Sequence, residues 1–158
     1  MSMHDALDLY DRGLRLLEAG QLEAAAETLQ QVVDRFPEHG AAHTNLGLAW
    51  HNLGRLSMAI TEYRLGIQCD PTAPAAYLHL ANAYGKMGRY PEAAELFEKA
   101  IELDPEYAYS YLGLASTLDR MGRLDEALEG YHRALELNLD ERDAAAVRRR
   151  LEALSGAR

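Results

Sequence analysis

The sequence predicts an all-α protein built from one helical hairpin copied along the chain, and three observations predict it. Marker residues recur at an interval of 34 positions: Gly20, Gly54, Gly88, Gly122; Ala25, Ala59, Ala93, Ala127; Pro37, Pro71, Pro105. Between these markers the apolar residues fall at i, i+3, i+4 and i+7, the spacing of one helix face and not of a strand. Each glycine divides two such stretches and each proline follows the second, so turn chemistry sits where a hairpin needs it.

The copy at residues 74–107, PAAYLHLANAYGKMGRYPEAAELFEKAIELDPEY, displays every part. Tyr77, Leu80, Ala81 and Tyr84 form the apolar stripe of a first helix, and Ala93, Leu96, Phe97, Ala100 and Ile101 that of a second. Gly88 follows the first helix, where the chain commonly needs a left-handed residue. Pro91 lies in the first turn of the second helix, where its missing N–H costs nothing. Asp104-Pro105 ends that helix, because a residue before proline disfavours the helical conformation. The same division applied to the whole chain gives units at 6–39, 40–73, 74–107 and 108–141 within a single repeat domain spanning residues 1–158.

Two size classes follow from the register. Gly13, Gly47, Ala81 and Ala115 in the first helices and Ala25, Ala59, Ala93 and Ala127 in the second are small enough to let paired backbones approach. Leu29, Tyr63, Phe97 and Tyr131 supply the bulky core residue of each second helix, while Leu9, His43, Tyr77 and Tyr111 take the large slot of each first helix. The end units depart from the pattern. Asp8 and Arg15 stand where later units have small residues, on the side that would face a preceding unit. After the fourth unit the proline is replaced by Leu139, and Asp140 with Asp143 offers an N-terminal cap for one more helix over Glu141 to Leu154. Arg149 stands there where a small packing residue belongs, which predicts a solvating end helix and a complete array.

Composition narrows the function. With 48% apolar and 26% charged residues the chain reads as an ordinary globular protein, and nothing in it approaches the ~20 apolar residues of a membrane span. Met1 to Leu9 has neither a cationic start nor an apolar run, so the expected compartment is the cytoplasm, with no membrane partner. Cys69 is the sole cysteine and cannot form an internal disulfide. The formal charge of −9 argues against a nucleic-acid partner, since phosphate binding draws on clustered Lys and Arg. That charge is uneven: residues 142–158 carry +3 through Arg142, Arg148, Arg149, Arg150 and Arg158, leaving −12 on the remainder, and a solvated helix face is the expected role of the tail.

No reaction is announced by any residue set. His39 and His43 are four apart, but the first lies in a turn and the second in a core slot. Glu129 and His132 make a single Glu-x-x-His, whereas a di-iron bundle needs the pair twice with further carboxylates. Gly-x-Ser-x-Gly, a phosphate-cradling loop and His-Glu-x-x-His are all missing. The expectation is a protein that is not an enzyme and takes neither cofactor nor metal.

The period, the small residues and the proline together resemble the tetratricopeptide repeat, and the resemblance covers essentially the whole chain. It implies a right-handed superhelical α-solenoid of four helix-turn-helix repeats with a C-terminal capping helix, whose concave face is lined by the first helices. Carried over slot by slot, that face includes Tyr10 and Leu14 from the first unit; Asn45, Leu48, His51 and Asn52 from the second; Leu78, His79, Asn82 and Lys86 from the third; and Tyr109, Leu112, Ser116 and Arg120 from the fourth. Asparagine both donates to and accepts from an extended backbone, and leucine and tyrosine give apolar contact, so the resemblance implies a non-enzymatic adaptor or assembly scaffold binding a partner peptide or helix. Asn45, Asn82 and Arg120 are expected to face solvent. One subset of the family grips a chaperone's C-terminal carboxylate with Lys and Asn on the opening helix; Thr44 and Leu48, or Tyr10 and Leu14, stand in those slots here. A self-assembling scaffold that forms homo-oligomers, and a regulatory subunit that recruits an enzyme, are the alternative readings.

Overall fold

The computed structural model describes residues 3–156, with side chains from Asp5 onward. Among the described residues the regular elements are α-helices: α1 (Met3–Glu18), α2 (Leu22–Arg35), α3 (Gly40–Asn52), α4 (Leu56–Cys69), α5 (Pro74–Lys86), α6 (Tyr90–Leu103), α7 (Ala108–Arg120), α8 (Leu124–Glu136) and α9 (Glu141–Gly156). Helices α3, α5 and α7 begin 34 residues apart, as do α2, α4, α6 and α8. The repeat in sequence is therefore a repeat in structure.

Turn chemistry sets the hairpins. Gly20, Gly54, Gly88 and Gly122 all adopt φ between 72° and 77°, the left-handed conformation that other residues reach only with strain. Each lets the next N–H fold back onto the helix it terminates: Gln21 to Leu16, Arg55 to Trp50, Arg89 to Tyr84 and Arg123 to Leu118, at 2.8–2.9 Å. These are the six-to-one bonds that satisfy orphan carbonyls at a helix end. The second helices of the first three units stop at the residue before proline. Asp70 (φ −139°, ψ 91°) and Asp104 (φ −140°, ψ 88°) are extended, as a pre-proline residue must be.

A polar staple recurs on those prolines. Tyr77 Oη donates to the Pro71 carbonyl at 2.9 Å and Tyr111 Oη to the Pro105 carbonyl at 3.0 Å. His43 Nε2 makes the equivalent bond to the Pro37 carbonyl at 2.9 Å, and its Nδ1 lies 2.7 Å from Glu62 Oε2. The large slot of the first helix is thus filled by residues with an apolar body and a polar tip, which tie each turn to the helix after it.

The chain forms two compact units, one through Ala83 and one from Tyr84 onward. In the first, Ala25, Ala26, Leu29, Val32 and Val33 of α2 pack with Ala42, Leu46 and Ala49 of α3, and Leu9, Tyr10, Leu16 and Leu17 of α1 close over them. A Cβ on Gly13 would lie 2.7 Å from Leu29, and one on Gly47 would lie 2.7 Å from the Tyr63 ring and 3.1 Å from the Ala59 carbonyl. In the second, Ala115 and Leu118 of α7, Ala127 and Tyr131 of α8, and Val147 and Leu154 of α9 form one cluster. A Cβ on Gly113 would collide with the Phe97 ring. Close approach is why these positions are small.

Ala93, fully buried on α6, tests that reading. Replacing it with leucine is expected to overpack the hairpin and cost about 1–3 kcal/mol in urea denaturation. A neutral substitution would mean that α6 has no backbone close against it. At the ends, Asp8 and Arg15 are exposed, and Arg149 is exposed on α9. Asp140 caps α9 by accepting from the Asp143 N–H at 2.8 Å, the capping role anticipated for it.

Candidate functional site

The first unit contributes α1, α3 and most of α5. Tyr10 and Leu14 are half-buried on α1, Asn45 and Leu48 half-buried on α3, and Asn52 and Asn82 exposed on α3 and α5. The solvent-facing position anticipated for Asn45 needs correction. Its amide nitrogen donates to the Tyr10 hydroxyl at 2.9 Å and to the Ala41 carbonyl at 2.9 Å, so α1 and α3 are joined through it. Burial pushes the Tyr10 hydroxyl up from its ordinary value while the Asn45 bond opposes that shift. The Tyr10 ring also packs 4.8 Å from the ring of His39, whose Nδ1 caps α3 by accepting from the Ala42 N–H.

Of the two histidines expected to line the face, His51 is turned inward and His79 only partly so. His51 is buried, and its ring lies 6.4 Å from that of Tyr63; the half-buried His79 of α5 also stacks on Tyr63, 5.7 Å away with planes 22° apart. Tyr63 itself has no exposed surface. Burial first, and the neighbouring His51 second, depress the His79 pKa to about 4, so this imidazole is neutral at physiological pH. Leu78 is buried as well. Leu78 and His51 pack the fold and offer a ligand little surface, while His79 keeps part of its ring accessible.

In the second unit, Lys86, Ser116 and Arg120 are exposed, and Tyr109 and Leu112 are half-buried. Tyr109 is already engaged: its hydroxyl donates to Asp140 Oδ2 at 2.7 Å. The Asp143 N–H and then that hydroxyl hold the Asp140 carboxyl below its usual range. Asp119, at the end of α7, accepts two bonds from Arg150 of α9, Nε to Oδ2 and Nη2 to Oδ1, both 2.7 Å, and a third from Tyr131 Oη at 3.0 Å. The Arg150 guanidinium holds the Asp119 carboxyl down, and burial pushes the Tyr131 hydroxyl up to about 12. Leu112, Ser116, Tyr131, Asp143, Ala146, Val147 and Arg150 line a shallow cleft of about 160 Å³ where α9 lies against α7 and α8.

Sequence reasoning missed the Tyr10–Asn45, Tyr109–Asp140 and Asp119–Arg150 pairs. Their separations of 35, 31 and 31 residues carry a usable signal, because all lie close to the repeat length. Polar residues one period apart, give or take a turn, are neighbours when first helices stack. Within the basic tail, Arg148 pairs with Glu141 at 3.0 Å and Arg150 with Asp119, while Arg158 lies outside the described residues. Cys69 is half-buried, its Sγ 3.5 Å from the Pro37 carbonyl. Glu129 and His132 are exposed, and among the described residues no three His, Cys, Asp or Glu side chains are placed to hold a metal. No described helix is long and apolar enough to cross a membrane.

Comparison with known proteins agrees with this architecture. Tetratricopeptide repeat models match residues 10–74, 74–107 and 96–129. No curated protein matches the chain significantly. Among solved structures the chain is similar to MamA from Desulfovibrio magneticus RS-1, at 24% identity over 85% of this chain and 76% of that one, TM-score 0.76. It is also similar to the first repeat domain of Spaghetti (RPAP3) bound to the HSP90 peptide SRMEEVD, at 20% identity over 77% and 97% of the two chains, TM-score 0.74. The Sgt2 repeat domain from Aspergillus fumigatus matches at 21% identity over 77% and 82%, TM-score 0.72. At such identities the likeness establishes the all-α helical-repeat fold.

Proposed function

The chain belongs to the tetratricopeptide repeat family, and on that premise we propose that it is a protein-interaction module, an adaptor or scaffold that holds a segment of a partner protein against its first helices. The supporting observation is what core packing leaves over. On α1, α3 and α5 of the first unit, Leu14 and Leu48 remain half-buried while the amides of Asn52 and Asn82 remain exposed. Leucines supply apolar area, and an amide offers a donor and an acceptor to a peptide backbone, so the pair suits a segment whose own backbone groups need partners. Tyr10 and Asn45, locked to each other, give that surface a fixed edge and lower the entropy lost on binding. Lys86 and Arg120 in the second unit are exposed cations suited to an acidic group. The bound peptide of the RPAP3 neighbour is acidic near its end, which supports a peptide-binding reading by fold analogy.

The test is a double substitution, Asn52→Ala with Asn82→Ala. Both side chains are exposed, so stability is expected to change by no more than about 0.5 kcal/mol. A partner bound at micromolar affinity has only about 8 kcal/mol in total. Each lost hydrogen bond removes about 0.5–1.5 kcal/mol of it. Capture of a partner from native lysate by the wild type, with a roughly ten- to hundredfold weaker affinity for the double variant, is the expected outcome. Equal affinity of wild type and variant sinks the first-helix reading. A mass that rises with protein concentration in the absence of any partner would instead favour self-assembly.

A further inference from the structure

Helix α9 covers part of the surface that the family pattern assigns to partners. Its buried stripe is narrow, consisting of Ala144, Val147 and Leu154 with Leu151 half-buried, and it packs on Leu112, Ala115 and Leu118 of α7 and on Tyr131 of α8. Two polar contacts add to its hold on the fold: Tyr109 on Asp140 at the start, and the two-pronged Arg150–Asp119 pair near the middle. That ion pair is peculiar to this junction. In the repeat register the slots matching Asp119 are Leu17, His51 and Gly85, and those matching Arg150 are Leu14, Leu48, Asn82 and Ser116. Every earlier junction therefore lacks the charges. A shallow cleft of about 160 Å³ runs along the edge of α9, between Asp143, Ala146 and Arg150 on one side and Leu112 and Ser116 on the other, so the seam between α9 and α7 is open to solvent there.

We propose that α9 is an in-chain occupant of a helix-binding surface on α7 and α8, latched by Arg150 on Asp119, and that the surface takes from a partner an amphipathic helix of the same chemistry. Such a helix carries an alanine, valine and leucine stripe with one arginine placed to pair with Asp119. Helix α9 itself defines the ligand: small residues where Ala144 sits, a β-branched residue at Val147, and a planar guanidinium that engages both carboxylate oxygens, which a lysine cannot do. The inference rests on the interaction-module reading and deepens it, because it names helix-in-groove docking as the mode for this part of the molecule and α9 as its regulator. A surface occupied in the chain shows a partner an affinity reduced by the fraction of time it is open, so weakening the latch strengthens external binding.

The experiment uses the full chain and a labelled synthetic peptide with the sequence of residues 140–156. Arg150→Ala opens the latch but leaves Asp119 for the peptide's own arginine; the same chain with Asp119→Ala removes the receptor. The expected result is peptide binding at least about tenfold tighter to Arg150→Ala than to wild type, with the gain lost when Asp119→Ala is added. Amide hydrogen exchange in α9 should accelerate in Arg150→Ala while α6–α8 keep their protection. Equal peptide binding by wild type and Arg150→Ala, or a gain that survives the loss of Asp119, overturns the proposal. So does general loss of protection in α6–α8, since α9 would then be an inseparable part of the core. The Asn52→Ala and Asn82→Ala test addresses α3 and α5, so either idea can fail without the other.

Discussion

Phe97→Ala is expected to destabilise the second unit by about 3–5 kcal/mol. The ring is 2% exposed, and its edge lies over Gly113, whose missing side chain is the space it fills. Removing it deletes the transfer energy of a large aromatic and leaves a cavity between α6 and α7 that alanine cannot close. Neighbouring small residues such as Ala93, Ala100 and Gly113 cannot relax into it, because none has atoms to offer. Against a total stability of about 5–15 kcal/mol typical of such proteins, this is a large fraction. Urea denaturation followed by helical circular dichroism measures it, and Phe97→Leu should recover much of the loss. A cost below about 1 kcal/mol would show that Phe97 is not packed in this core.

Acidification is expected to destabilise the first unit through His79. Its pKa is depressed to about 4 in the folded protein, against an ordinary value near 6.5, because burial against Tyr63 and proximity to His51 both disfavour the charged ring. Below the unfolded value the unfolded chain takes up a proton that the folded chain refuses, so stability is full above pH 6.5 and falls as the pH drops toward 4. At 1.36 kcal/mol for each pH unit of difference, the loss is about 3 kcal/mol. Carboxylates held low in the fold, such as Asp119 and Asp140, add their own losses at still lower pH. The difference between wild type and His79→Gln isolates the histidine: the wild type should lose about 3 kcal/mol more than the variant between pH 7.5 and 4. Parallel curves for the two proteins would mean that His79 reaches water and belongs with the exposed residues.

What the sequence determined is everything that depends on neighbours a few residues away. The 34-residue period, the division into two helices, the left-handed glycines, the pre-proline stops and the core slots of Leu29, Tyr63, Phe97 and Tyr131 are all local matters. Helical spacing and turn chemistry act within one hairpin, so the residues that decide them stand next to one another in the chain. Tertiary structure alone decided how the polar side chains of the first helices were used. Asn45 was drawn to Tyr10, Tyr109 to Asp140, and Asp119 to Arg150, while the His79 ring was stacked on Tyr63. A long polar side chain on a helix can face solvent or a neighbouring helix at little difference in backbone energy. The choice falls to whichever partner the stacking of one repeat on the next brings within hydrogen-bond reach, about 3 Å.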